Sequence, residues 1–441
     1  MSAAVGSTTA LQLRFRGSID ELSAADRRAL LTRATESDAS IAADTARIVY
    51  DVRTRGDAAL FDMASRFDKV ALESLEVPRR EMPRALDTLQ PDLRRAMERA
   101  ARNIATVHRA FLSAAIDVES EPGIVVGRRP DPLQRVGVYA PGGRAVYPSS
   151  VLMGAVPARV AGVGEVILCS PPDASGKPSP TILAAAALAN VDRVFAVGGA
   201  GAIAAMALGT ESIPRVDRIV GPGNAYVAAA KLQLVGNVAI DSPAGPSELL
   251  IIADDSIDPS DVALEMIAQA EHDPRACVVA IAIGQTRAAA IHRALGDAVW
   301  ETPRRDIVRR ALESHGGVLS AKSIESALEL AADYAPEHLL LALRDADTAL
   351  TRVRNAGTVF VGGASSVAFG DYMTGANHVL PTGGAARSYS GLSPLDFVRW
   401  TTYQRVDENA ARRLADDVAL FASAESLSGH ATAARRWSVA R

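Results

Sequence analysis

The strongest constraint on the fold of this 441-residue chain is an alternation that begins near its middle and runs on toward its C-terminus. Short β-branched runs take turns with Ala-rich runs of helical length: Val136 to Tyr139, Val166 to Leu168, Arg193 to Val197, Arg218 to Val220 and Leu249 to Ile252. A second set follows at Cys277 to Ile283, Gly317 to Ser320, Leu339 to Leu343 and Thr358 to Val361. Strand and helix in regular alternation build βαβ units, and these units build mainly parallel sheets. The two sets share a texture, though no convincing repeat of sequence links them, and could share a fold. Before them, residues 20–115 read as helical from apolar residues three and four apart, and Gly123 to Ala140 reads as two short strands. Beyond Pro394 a polar, helical tail is expected.

Glycines collect in the loops after the strands, at Pro141 to Gly143, Gly198 to Gly201, Gly221 to Asn224 and Pro243 to Ser247. Open α/β sheets bind ligands outside the carboxyl ends of their strands, so these loops are the expected mouth of a site. One of them, Gly199-Ala-Gly201-Ala-Ile-Ala204, has the outline of a dinucleotide fingerprint. The acidic residue that should end the next strand and hold a ribose is missing, since Arg218-Ile-Val runs straight into Gly221. The motif alone is as compatible with a tight turn as with a nucleotide.

Charge narrows the chemistry. A net charge of -4 with no Lys/Arg run argues against nucleic acid and membrane surfaces as partners, leaving small-molecule chemistry. Cys169 and Cys277 each sit in an apolar run and read as buried strand residues of a reducing compartment. With no apolar run of spanning length and no signal-like N-terminus, a cytoplasmic location is expected.

Four of the seven histidines stand in polar strings that a core would not explain: His272 in Gln269-Ala-Glu-His-Asp, His338 in Ala335-Pro-Glu-His, His378 in Asn377-His, and His430 after Glu425. Gln269 and His272 fall three apart at the end of a helix that opens behind Asp258-Pro259, where two neutral donors could share a metal or simply face water. Together with Asp371 and His430 they would make a nitrogen- and oxygen-donor set suited to Zn²⁺. Glu337 and His338, between a Pro-terminated helix and an apolar strand, can be held rigidly as an acid/base pair.

These strings, with Gly137-Val-Tyr139, Gly221-Pro-Gly-Asn224-Ala-Tyr, Asp241-Ser-Pro-Ala-Gly-Pro-Ser247-Glu, Gly370-Asp371-Tyr and Asn377-His378-Val-Leu-Pro-Thr, resemble the histidinol dehydrogenase family from about residue 30 to the tail. The resemblance implies a zinc-dependent homodimer that oxidises L-histidinol to L-histidine in two steps with two NAD. Carried over, it makes Gln269, His272, Asp371 and His430 the zinc ligands, and Glu337 and His338 the acid/base pair. Substrate would meet the four zinc ligands, His338, Ser247, His378 and Glu425, and NAD would meet Tyr139, Asn224 and the loop at Gly201. Where this chain has Gly201 the family usually has a Gln that contacts the cofactor. A zinc and NAD dehydrogenase of another polyol, such as sulfopropanediol, is the alternative, and Glu425 favours histidinol.

The fold implied is α/β, two Rossmann-like domains with parallel-rich sheets, a helical N-terminal segment and a small C-terminal helical tail. Residues 1–32 would form that segment. The first domain would combine 33–137 with 249–392, the second would be an NAD-binding domain of 138–248, and 393–441 would reach the partner subunit to complete a shared site.

Overall fold

Strands buried on both faces of a sheet need no polar alternation, and the central strands of the two large sheets read as nearly unbroken apolar runs. The computed structural model describes residues 11–33, 39–142, 146–243 and 245–438. Outside them lie the N-terminal stretch 1–10, residues 34–38, Gly143 of the first glycine loop, residues 144–145, Ala244 of the Pro243–Ser247 loop, and the last three tail residues. In chain order the strands are β1 (Phe15–Ser18), β2 (Glu76–Val77), β3 (Ile116–Glu121), β4 (Ile124–Pro132) and β5 (Arg135–Tyr139). Next come β6 (Glu165–Ser170), β7 (Arg193–Ala196), β8 (Arg218–Val220), β9 (Ala239–Ile240) and β10 (Glu248–Ala253). The last are β11 (Cys277–Ile283), β12 (Gly317–Ala321), β13 (His338–Ala342), β14 (Thr358–Val361) and β15 (Val398–Val406).

Two six-stranded sheets form, in the orders β2-β7-β6-β5-β8-β9 and β1-β12-β11-β10-β13-β14. Each holds five consecutive parallel strands in the order 3-2-1-4-5, so the two α/β units do share a topology. The strand order reverses between β5 and β8 in one sheet and between β10 and β13 in the other. Apolar clusters cover both faces of each sheet, as parallel pairing requires. Cys169 and Cys277 are buried in different sheets, in β6 and β11.

The division of the chain differs from the expected boundaries. Residues 1–32 are not only helical, because β1 pairs in parallel with β12 and places Phe15 in the β10 sheet's core. Residues 39–110 pack on the β5 sheet, not on the sheet of 249–392. Val49, Val52 and Leu60 enter the core on one face, Met97, Ala100 and Ile104 enter it on the other, and β2 pairs antiparallel with β7. Apolar complementarity, which a linear reading cannot see, decides which sheet a helix joins. The tail also opens with a strand. Residues Val398–Val406 pair antiparallel with β4, and β3 completes a three-stranded sheet with Arg128 stacked 3.9 Å from the Trp400 ring. Helices Glu408–Ala424 and Ser428–Arg435 follow.

Candidate active site

The helix Ile324–Tyr334 starts on a Ser323/Ser326 capping box and stops at Ala335, which adopts φ 49° before Pro336. A residue ahead of proline is pushed out of the helical region, so the chain turns at once into Glu337 and the first residue of β13, His338. Both are buried, at 7% and 4% exposure. The turn is packed closely: a Cβ on Gly357 would lie 2.6 Å from the Glu337 carbonyl oxygen, which accepts the Thr358 N–H. His338 Nδ1 hydrogen bonds to the Glu248 carbonyl oxygen at 2.9 Å, so that nitrogen carries a hydrogen. Its Nε2 has no hydrogen-bond partner among the described residues and sits 3.8 Å from Asp371 Oδ1. Burial works against the charged imidazole, yet Glu337, 3.4 Å away, and Asp371 lift His338 to about 9.

Asp371 lies in the short helix Val367–Tyr372, and its carbonyl oxygen holds His378 Nδ1 at 2.9 Å. Burial pushes the His378 imidazole down, with Asp371 acting against it. Gln269 stands in the last turn of the helix Pro259–Ala270, which Asp258 caps by accepting the Ser260 N–H. His272 follows just past the helix end, its N–H directed at the Gln269 carbonyl oxygen. Gln269 is buried, at 3% exposure. His272 and Asp371 line one cleft of about 460 Å³, whose far wall is Tyr147, Met153 and the helix Pro91–Ala110. The cleft therefore lies between elements of the two sheets.

As a metal site this set fits in chemistry and is incomplete in number. Gln269, His272 and Asp371 supply neutral and carboxylate donors suited to Zn²⁺, and His272 and Asp371 face one cleft. No group of three or more His, Cys, Asp or Glu side chains able to hold a metal occurs among the described residues. The fourth expected donor, His430, is exposed in the helix Ser428–Arg435, and Glu425 is exposed at the end of the helix before it.

The expected cofactor residues gather at the other sheet's reversal point. Tyr139 ends β5, is 3% exposed, and accepts the Gly199 N–H on its hydroxyl at 3.0 Å, while burial pushes the phenol up to about 12. Asn224 follows β8 and caps the helix Ala225–Gln233 by accepting the Tyr226 and Val227 N–H groups. Both therefore have structural partners as well as a place at the crevice. Gly221 between them has φ +114°, and a Cβ there would lie 2.1 Å from the Tyr139 carbonyl oxygen. Its N–H donates to Asp241 and its carbonyl accepts from Lys231, a buried ion pair of 2.7 Å that fixes the loop from both sides. Gly201 is placed differently from expectation. It is buried inside the helix Gly199–Leu208, where a Cβ would meet Met63 Sδ at 2.9 Å, so its side-chain direction faces a neighbouring helix.

Two residues were missed by sequence reasoning. Glu248 heads β10 beside Ser247, and Arg33 ends the helix Ala24–Thr32 in a region where no chemistry was read. For Glu248 a signal existed, since a carboxylate opens an otherwise wholly apolar, fully buried strand.

Comparison with known proteins gives one consistent match. A family model described as histidinol dehydrogenase matches residues 31–437. The chain is 43% identical over 418 residues to a histidinol dehydrogenase of Methanosarcina barkeri, covering 95% of this chain and 96% of that one. It is 46% identical over 409 residues to a histidinol dehydrogenase of Halobacterium salinarum, covering 92% and 96%. The crystal structure of histidinol dehydrogenase from Elizabethkingia anophelis superposes with a TM-score of 0.91 at 33% identity, covering 96% of this chain and 98% of that chain.

Proposed function

The chain belongs to the histidinol dehydrogenase family, and from that premise we propose that it oxidises L-histidinol to L-histidine through the aldehyde, passing two hydrides to NAD. The observation that carries this reading is the buried Glu337–His338 pair, with His338 Nε2, unpartnered among the described residues, 3.8 Å from Asp371 beside the cleft. Gln269, His272 and Asp371, with His430 of the partner subunit, would hold Zn²⁺. Zinc there would hold the substrate's amino and imidazole nitrogens and so fix its alcohol carbon against the nicotinamide.

His338 takes the hydroxyl proton at Nε2 as the first hydride leaves, because Nδ1 is committed to the Glu248 carbonyl. Glu337 then takes a proton from the water that attacks the aldehyde carbon while His338 returns its proton to the carbonyl oxygen, which frees Nε2 to remove the hydrate's proton as the second hydride leaves for NAD. Ser247 and His378 contact substrate from within the subunit, and Glu425 contacts it from the partner. Tyr139, Asn224 and the Gly221 loop bound the NAD crevice, where strand order reverses. The subunit exchange is supported by the exposure of the tail, where Leu420 and Phe421 are 73% and 71% exposed and await a covering surface.

The test is a comparison of substrates. Purified chain supplied with Zn²⁺ and NAD should form NADH from L-histidinol and not from sulfopropanediol. Chelation should abolish that rate and Zn²⁺ restore it. NADH from sulfopropanediol alone would overturn the substrate assignment, and full activity in metal-free protein would overturn the metal.

A further inference from the structure

Behind the acid/base pair stands a third carboxylate. Glu248 and Glu337 exchange contacts across neighbouring strands. The Glu248 N–H donates to Glu337 Oε2 at 2.7 Å, and the Glu337 N–H is directed at Glu248 Oε2 at 3.4 Å. The Glu248 carbonyl oxygen holds His338 Nδ1. The remaining carboxylate oxygen, Oε1, accepts the Gly383 N–H at 2.7 Å and pairs with Arg33 Nε at 2.8 Å. The Arg33 and Glu248 side chains are 2% and 3% exposed. Arg33 in turn donates to the Tyr334 carbonyl oxygen at 2.6 Å and stacks 3.9 Å from the Tyr334 ring, four residues ahead of His338. One guanidinium thus grips both the segment that leads into Glu337–His338 and the carboxylate that faces it.

We propose that Glu248, anchored by Arg33, is a positioning residue for the reaction: it fixes the Glu337 carboxylate and holds the His338 ring with Nε2 toward the substrate. A buried carboxylate is tolerated only when paired and hydrogen bonded, and this one, held by Arg33 and by the Gly383 and Glu337 N–H groups, fixes the backbone whose N–H and carbonyl oxygen terminate on the Glu337 carboxylate and the His338 ring. Structural attachment of the N-terminal segment would need the Arg33 pair alone. The exchange with Glu337 and the grip on His338 are the parts that chemistry requires, since acid/base groups must be held to a fraction of an ångström. A Gln at 248 keeps the shape but has one acceptor oxygen for two N–H donors.

The inference deepens the dehydrogenase reading and rests on it for its kinetic readout. Three variants of the full chain, supplied with Zn²⁺, separate positioning from packing: Arg33→Met, Glu248→Gln and the two combined. Each single variant leaves a buried group mismatched and should unfold at a lower temperature, while the combined one removes both charges and should recover most of that loss. Positioning predicts that kcat stays down about tenfold or more in the combined variant for both oxidations, with KM for NAD and L-histidinol within about threefold. If kcat returns together with thermal stability, or if only KM moves, the role is structural and the proposal falls. Should the wild-type chain fail to oxidise histidinol, the functional reading fails separately. The ¹⁵N resonances of His338, identified by their loss in His338→Asn, then decide. A changed Nδ1/Nε2 pattern in the combined variant supports the proposal, and an unchanged one overturns it.

Discussion

The two six-stranded sheets have the same strand order and carry their candidate site residues at opposite ends. In the β5 sheet the glycine loops and Asn224 follow the carboxyl ends of β5 and β8, where the order reverses. In the β10 sheet the proposed base and the residue proposed to position it head the strands. Glu248 and His338 are the first residues of β10 and β13, again at the reversal, but at the amino ends. A topological switch point thus marks where a crevice can form without saying which end chemistry will occupy. The difference follows from what each end offers. Carboxyl ends open into helix N-termini and glycine loops that suit a phosphate-bearing ligand, whereas side chains heading buried strands are held by the backbone ladder and suit proton transfer.

Removing the pair at the amino ends should break function in one half and leave the other. His338→Ala should lower the rate of both oxidations by about a thousandfold, with NAD affinity by calorimetry unchanged. Glu337→Gln should slow mainly aldehyde to acid. Because a base must be deprotonated and His338 is lifted to about 9, the wild-type rate should rise with pH toward that value, and the residual rate of His338→Ala should lose that rise. Loss of NAD binding in His338→Ala would mean that the two ends do not divide the work.

The tail extends the comparison to a second subunit. His338→Ala and His430→Ala chains, inactive apart, should regain about a quarter of wild-type activity after mixed refolding if tails cross between subunits, because each mixed dimer then has one intact site. No recovery from demonstrably mixed dimers would place each tail in its own site.

At the carboxyl ends the expected effect is smaller and of another kind. Lys231→Met combined with Asp241→Asn frees the Gly221 loop without leaving a buried charge, and should raise KM for NAD about tenfold with kcat nearly unchanged. Smallest of all is the effect at Gly201. Gly201→Gln should cost about 1–3 kcal/mol of stability by thermal unfolding, since its side chain must displace Met63, and should leave KM for NAD unimproved. A lower KM would show that Met63 yields and that the loop accepts the side chain.

Much of this comparison was legible in the residues. Apolar runs marked the principal strands of both parallel sheets because doubly buried strands have no polar face to confuse the pattern. Glu337, His338, Asp371 and His378 were found as polar strings, and the fold does bring them together. What was not legible depended on distance along the chain. Arg33 reaches Glu248 across more than two hundred residues, and nothing in its local sequence distinguishes it from other helix-end arginines. The strand Val398–Val406 was read as helical tail because its pairing partner β4 lies far upstream. The side-chain direction at Gly201 was missed because packing against Met63 is a tertiary fact.

The proposed function requires one site to perform two successive oxidations without releasing the aldehyde. The direct measurement is the number of NADH formed per L-histidine produced from L-histidinol, with free aldehyde trapped by semicarbazide in parallel. The account predicts a ratio of about two with little trapped aldehyde, since each oxidation passes one hydride to NAD. NADH without histidine, or aldehyde accumulating in the trap at the rate of NADH formation, would contradict it.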